Sequence, residues 1–256
     1  MTLQDTARKI LSLIDLTSLN ATDSDETILS LCQAAHTPYG DTAAVCVYPQ
    51  FIHIAKTTLA TQGTPHIHVA TVTNFPAGRS DIPLALDETA RAVEAGADEI
   101  DLVMPYLAIA NKDTLTAEIL ISEAVRLING QSKLKVILES GVLHLPELIL
   151  LASEIAIDNG ADFIKTSTGK VAVNATREAA YIMLKTIARK NPACGFKAAG
   201  GIRTVAEAQI YLTLAEDILG ADWISPAHFR FGASALLQDV LSSIENRTNQ
   251  ADRLSY

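Results

Sequence analysis

Three ionisable residues stand in runs that otherwise read as buried strands: Asp101 in EIDLVMPY, Lys165 in FIKTSTG and Lys197 in CGFKAAGG. A lysine in apolar surroundings loses hydration, and a second ammonium beside it adds repulsion. Both effects lower its pKa and free the amine lone pair to attack a carbonyl. Two lysines and a carboxylate therefore point to imine (Schiff-base) chemistry, with Asp101 handling protons. On this reading either lysine can be the nucleophile. The competing account is an interior ion network that serves stability alone, since such networks also perturb pKa values.

A second set of residues suits anion binding. Gly169-Lys170, Gly200-Gly201 and Gly232-Ala233-Ser234 each follow a strand candidate. Glycines let backbone N–H groups approach an anion, and in eight-stranded α/β barrels the loops after the last two strands are a recurrent phosphate site. Three such loops favour a small phosphorylated aldehyde or sugar over mere tight turns. His66-x-His68 has ligand-pair spacing, with both rings on one strand face, but it opens a strand, away from the expected site. The expected chemistry needs neither a metal nor a cofactor.

The elements that must position these groups are read from a repeat. Gly96-Ala97-Asp98, Gly160-Ala161-Asp162 and Gly220-Ala221-Asp222 each follow a segment with apolar residues at three-to-four spacing and precede an apolar run. Each glycine suits the left-handed end of a helix, and Thr204 with Glu207 forms a capping box. Eight strand candidates result: IDLTSL from Ile14, AAVCVYP from Ala43, HVATVTNF from His68, EIDLVMPY from Glu99, KLKVILES from Lys133, FIKTSTG from Phe163, CGFKAAGG from Cys194 and WISPAHF from Trp223. Strands alternating with amphipathic helices predict a (β/α)8 barrel, one domain over residues 1–256 with a flexible tail from about residue 246. Asp101, Lys165 and Ser225 each lie five residues after their repeat glycine. Barrel layers draw on alternate strands, so equal offsets place Asp101 and Lys165 in one inward-facing layer. Other residues at strand ends are Asp15, Thr17, Cys46, Tyr48, Asn74, Glu139 and Ser140.

Of 256 residues, 48% are hydrophobic, enough for a large core, and the formal charge of −9 argues against a nucleic-acid footprint. No apolar run is long enough for a membrane span. Cys32, Cys46 and Cys194 form neither a disulfide framework nor a CxxC motif, which fits a reducing cytoplasmic setting.

Taken together, DFIKTSTGKVAVNAT, GFKAAGGIRT, ADEIDLVMPY, TVTNFPAG, AAVCVYP and RFGAS resemble the 2-deoxyribose-5-phosphate aldolases, in order and over essentially the whole chain. The resemblance implies reversible cleavage of 2-deoxy-D-ribose 5-phosphate to acetaldehyde and D-glyceraldehyde 3-phosphate. It chooses Lys165 as nucleophile, assigns Lys197 to lowering the Lys165 pKa, and gives Asp101 a proton relay with Lys197 and water. It also implies that Asp15, Thr17 and Cys46 position substrate, that Gly169, Lys170, Gly200, Gly201, Gly232 and Ser234 hold the phosphate, and that Tyr256 shuttles protons. Assembly as a homodimer is compatible with it. The sequence departs from the commoner family pattern at Ser140 (usually Thr), Ala198 (often Pro) and Ala235 (often a second Ser). The other readings are an imine-forming aldolase for a different phosphosugar and a noncatalytic sugar-phosphate-binding barrel.

Overall fold

The computed structural model describes residues 2–245; the tail from residue 246, with Tyr256, lies outside the described residues. Eight parallel strands close into a barrel: β1 Ile14–Thr17, β2 Ala44–Val47, β3 His68–Thr73, β4 Glu99–Val103, β5 Lys133–Ile137, β6 Phe163–Lys165, β7 Gly195–Ala199 and β8 Phe229–Ala233. Neighbours in sequence are neighbours in the sheet, and β1 pairs with both β2 and β8. After an N-terminal helix α1 (Leu3–Leu11), one long helix follows each strand: α2 Asp25–Ala34, α3 Ile52–Thr61, α4 Ile82–Glu94, α5 Leu115–Ile128, α6 Pro146–Asp158, α7 Arg177–Lys190, α8 Val205–Leu219 and α9 Leu236–Ile244. The predicted (β/α)8 barrel is thus observed. Among the described residues, no helix is long and apolar enough to cross a membrane.

Helix periodicity builds the outer layer. Ala117, Leu120, Ile121, Ala124 and Ile128 line one face of α5 and are buried. Truncating a leucine such as Leu120 to alanine in such a layer costs about 2–5 kcal/mol. The Thr204–Glu207 capping box forms at the start of α8. Gly96, Gly160 and Gly220 follow their helices at φ +89, +91 and +90, as the repeat requires.

The aspartates explain why the repeat exists. Asp98 accepts from the Val69 amide at 2.7 Å, and Asp162 accepts from the Leu134 amide at 2.9 Å. Each closes an otherwise unpaired donor near the start of the preceding strand. The third copy differs. Ala221–Trp223 forms a 3₁₀ turn, the chain passes Pro226, and the strand begins only at Phe229. WISPAHF is therefore not the eighth strand. Ser225 does not lie at a strand end; its carbonyl accepts from the His228 and Phe229 amides in the turn before β8. Gly232 and Ala233 belong to the end of β8 itself, not to the loop after it.

Alternation then divides β8. Phe229 and Phe231 face the helices, where Phe229 packs against Phe196 with ring centroids 5.6 Å apart. Arg230 faces inward, in register with Lys197.

Candidate active site

The barrel interior has two halves. On the β2–β3 side Cys46, Ala70 and Val72 form a small apolar cluster with Leu19. The other side holds a buried ionic network drawn from β1 and β4–β8: Asp15, Glu99 and Asp101 against Lys135, Lys165, Lys197 and Arg230. Three of these seven, Glu99, Lys135 and Arg230, are absent from the expectations set out above. The missing signal was strand alternation: Glu99 shares a face with Asp101, and Lys135 lies in register with Asp101 on the next strand.

Asp101 is the hub. It accepts from Lys165 Nζ at 2.7 Å, Lys197 Nζ at 2.7 Å and Lys135 Nζ at 3.0 Å. The equal repeat offsets of Asp101 and Lys165 do bring their side chains together, and Lys165 pairs in register with Lys197. Burial raises the Asp101 pKa, but the three ammoniums overcome this and hold it well below the usual carboxylate range. Removing Asp101 would strand buried cations, at a cost on the order of 3–5 kcal/mol.

The four cations are not equivalent. Lys197 is held by Asp15 at 2.5 Å and by Asp101. Lys135 contacts Glu99, Asp101 and, at 3.7 Å, Asp15. Arg230 bridges Asp15 at 2.6 Å and Glu99 at 2.8 Å. Lys165 has Asp101 alone among the described residues. Burial depresses all three lysines, yet carboxylate neighbours push Lys197 and Lys135 above the ordinary lysine value. For Lys165 burial wins: with one carboxylate partner and Lys197 repelling it, its pKa falls. The network carries three carboxylates against four cations, so discharging Lys165 balances it. Glu139 is also buried, but its carboxylate is bonded to Thr168 Oγ1 at 2.6 Å and its amide at 3.2 Å, and burial raises its pKa.

Lys165 also borders the entrance. A cavity of about 310 Å³ at the C-terminal end of the strands is lined by Lys165, Thr17, Thr168–Lys170, Ala199–Arg203 and Gly232–Ala235. Lys197 and Lys135 are not among its lining residues. Gly169, Gly200, Gly201 and Ser234 from the loops meet here with Gly232 from the end of β8. Asn20 and Arg203 also line it, and neither was singled out in the sequence, although Arg203 directly continues the Gly200-Gly201 loop.

Two glycines have visible reasons. A Cβ on Gly200, at φ +86, would lie 2.6 Å from Asn174 Cβ. A Cβ on Gly232 would lie 3.0 Å from both Lys197 Cε and Ala199 Cβ, so Gly232 makes room for the lysine stem as well as lining the cavity.

Other expected residues sit differently. Lys170 Nζ donates to the Leu19 carbonyl at 2.6 Å, tying the loop after β6 to that after β1 at the cavity rim. Asp15 and Cys46 are not lining residues. Asp15 lies beneath the cavity, ion-paired to Lys197 and Arg230, so it positions those cations. Cys46 is buried, and desolvation pushes its thiol pKa up, which makes it a poor nucleophile. Among the described residues, Ser140 Oγ is buried without a hydrogen-bond partner, and Ala235 gives the first turn of α9 no side-chain cap. His66 and His68 do not form a ligand pair: His66 contacts Asp41 at 2.6 Å, while His68 contacts Glu99 at 2.8 Å. A wider groove of about 660 Å³ lies between α7 and α8, but its charged lining residues are exposed. Nothing there can tune a nucleophile.

Two solved structures, each described as a "putative deoxyribose-phosphate aldolase", share this architecture. That from Toxoplasma gondii ME49 is 25% identical, with a TM-score of 0.86 and 97% of each chain covered. That from Coccidioides immitis is 29% identical, with a TM-score of 0.79 and coverage of 94% of this chain and 87% of that one. The deoxyribose phosphate aldolase of Aeropyrum pernix, a tetramer, has the same fold at 23% identity and a TM-score of 0.75, covering 96% and 94%. Residues 9–241 match the DeoC/LacD family aldolases, nearly the full span of the barrel, and the chain belongs to that family.

Proposed function

We propose that this chain is a deoxyribose-phosphate aldolase, a carbon–carbon lyase that cleaves 2-deoxy-D-ribose 5-phosphate reversibly through an imine on Lys165. The observation that carries this reading is the asymmetry among the interior lysines. Of the three, and among the described residues, Lys165 alone both lines the cavity and has a single carboxylate partner. Its amine is the one most readily discharged.

Neutral Lys165 Nζ adds to the C1 aldehyde of the open-chain sugar, and loss of water leaves a protonated imine. Acetaldehyde retains C1 and C2, so the bond that breaks is C2–C3. As the C3 hydroxyl loses its proton, the C2–C3 electron pair moves into the iminium. D-Glyceraldehyde 3-phosphate leaves, and an enamine remains on Lys165. Protonation at C2 and hydrolysis release acetaldehyde and restore the amine. Asp101, beside Nζ, is the proposed partner of a bound water in the relay; held ionised by its three ammoniums, it acts by orienting the amine and the water that carries the proton. Lys197, its pKa raised by two carboxylates, acts through its fixed charge. The glycine loops and Ser234 suit the phosphate, with Lys170 and Arg203 adding positive charge at the rim. Tyr256 is the proposed shuttle for the C2 proton. The cytoplasm is the proposed setting and a homodimer the proposed assembly.

Cleavage of 2-deoxyribose 5-phosphate, followed by acetaldehyde release, tests the reading. Turnover of ketose phosphates instead would identify a different imine-forming aldolase. Phosphate-dependent binding without turnover would identify a sugar-phosphate-binding barrel.

A further inference from the structure

His68 opens β3 at the end of the barrel opposite the cavity. Its side chain is 48% exposed, and Nδ1 lies 2.8 Å from Glu99 Oε1. Glu99 is buried and also receives Lys135 and Arg230. Lys135 continues to Asp101 at 3.0 Å, and Asp101 to Lys165 at 2.7 Å. An unbroken chain of charge-assisted hydrogen bonds thus joins a solvent-accessible imidazole to the reactive lysine through the barrel.

We propose that His68 is a positioning residue that adjusts the charge on Lys165 from the far end of the barrel, through Glu99, Lys135 and Asp101. Packing does not call for an imidazole here. The site is half open, and Glu99 already has two cationic partners. The groups facing His68 are Glu99 and Asp98 at the start of β4, which favour its charged form, and Arg230 of β8, which opposes it. At the same end Lys56 of α3 is paired to Asp98 at 2.7 Å, and Lys133 to Asp162 at 2.8 Å. The hydrogen bond to Glu99 raises the His68 pKa above the ordinary histidine value. His68 therefore takes up its proton at a higher pH than an ordinary histidine does.

The consequence follows from the charge count. A proton on His68 sets five cations against three carboxylates. Glu99 is drawn toward the imidazolium, Lys135 leans further on Asp101, and Asp101 has less charge to offer Lys165. Lys165 then holds its own proton less tightly. The loss of free amine on acidification is partly offset, and the acid limb of imine formation lies lower than it would without His68.

The inference rests on imine formation at Lys165, so its test begins with the parent protein. Acetaldehyde is trapped with cyanoborohydride across the pH range, and the rate of adduct formation at Lys165 is read by peptide mass analysis for the parent, His68→Gln and His68→Arg. At about pH 6 the Gln variant should trap on the order of two- to fivefold more slowly than the parent, as expected for losing one charge several residues away, and at about pH 9 the two should agree. His68→Arg, a permanent cation, should match the parent at the lower pH. Superimposable parent and Gln profiles would overturn the proposal. So would equal slowing in Gln and Arg, which would mark a structural contact rather than a charge effect. No adduct in the parent would instead overturn the imine reaction itself.

Discussion

Replacing Lys197 by methionine probes why Lys165 is reactive. Both ammoniums donate to the same Asp101 oxygen at 2.7 Å, so they lie within about 5 Å of each other. A unit charge at that distance, with an effective dielectric constant of about 20–40, is worth roughly 1.5–3 kcal/mol, or about 1–2 pKa units. Without Lys197, Asp101 also turns more fully to Lys165. The network then balances only when Lys165 is protonated. The acid limb of kcat/KM should move up by about 1–2 units, with roughly 10- to 100-fold less activity near neutrality and recovery toward high pH. The variant also leaves Asp15 and Asp101 short of a partner, so it should be less stable, which thermal unfolding would record. Lys197→Arg, which keeps the charge, should retain most of the profile. A Met variant with a depressed rate but an unmoved acid limb would refute the reasoning, because Lys197 would then act by some means other than its field.

Lys165→Met should abolish turnover yet leave the protein as stable as the parent or more so, measured as Tm. The folded Lys165 pKa lies below its unfolded value, so the parent loses stability as the pH falls through this range, and the variant should lack that component. A marked fall in Tm would count against Lys165 as the network's excess cation. Ala235→Ser should restore a hydroxyl where α9 now lacks a side-chain cap, raising the preference for phosphorylated over nonphosphorylated substrate by at most roughly 1.5–3 kcal/mol. Equal selectivity in both proteins would remove Ala235 from the phosphate site. Deleting Tyr256 should selectively slow acetaldehyde α-proton exchange, followed by NMR in deuterated water; unchanged exchange would sink the shuttle.

How much of this was legible in the sequence depended on which pattern carried it. Gly96 and Gly160 marked helix ends because a left-handed backbone position selects glycine, and the strands after them began where expected. Gly220 marked a helix end equally well, but the residues after it combine Trp223, Ile224 and Phe229 around Pro226. That stretch has strand-like composition without strand geometry. Composition alone does not distinguish a turn followed by a strand from one continuous strand.

The site divided along the same line. Lys165, Lys197 and Asp101 were visible because charges near strand ends in an α/β barrel are read as functional. Glu99 and Arg230 lie at the first and second positions of their strands, and Lys135, in register with Asp101, lies in mid-strand two residues after an exposed lysine; in each setting a charge is easily taken for a solvated edge. Lys133 is such a residue, with a side chain 61% exposed, while Lys135 two positions later is fully buried. The (β/α)8 closure turns that alternation inward, and only the closed barrel shows that Lys165 has fewer carboxylate partners than Lys197. Choosing between the two lysines therefore needed either family resemblance or the network itself.

The most direct test of the account is to trap the imine. The protein is incubated with acetaldehyde and borohydride, digested, and its peptides are weighed. A reduced two-carbon adduct is expected on Lys165 and none on Lys197 or Lys135. An adduct on Lys197, or protection of the site by sugar phosphate with no lysine modified, would contradict it.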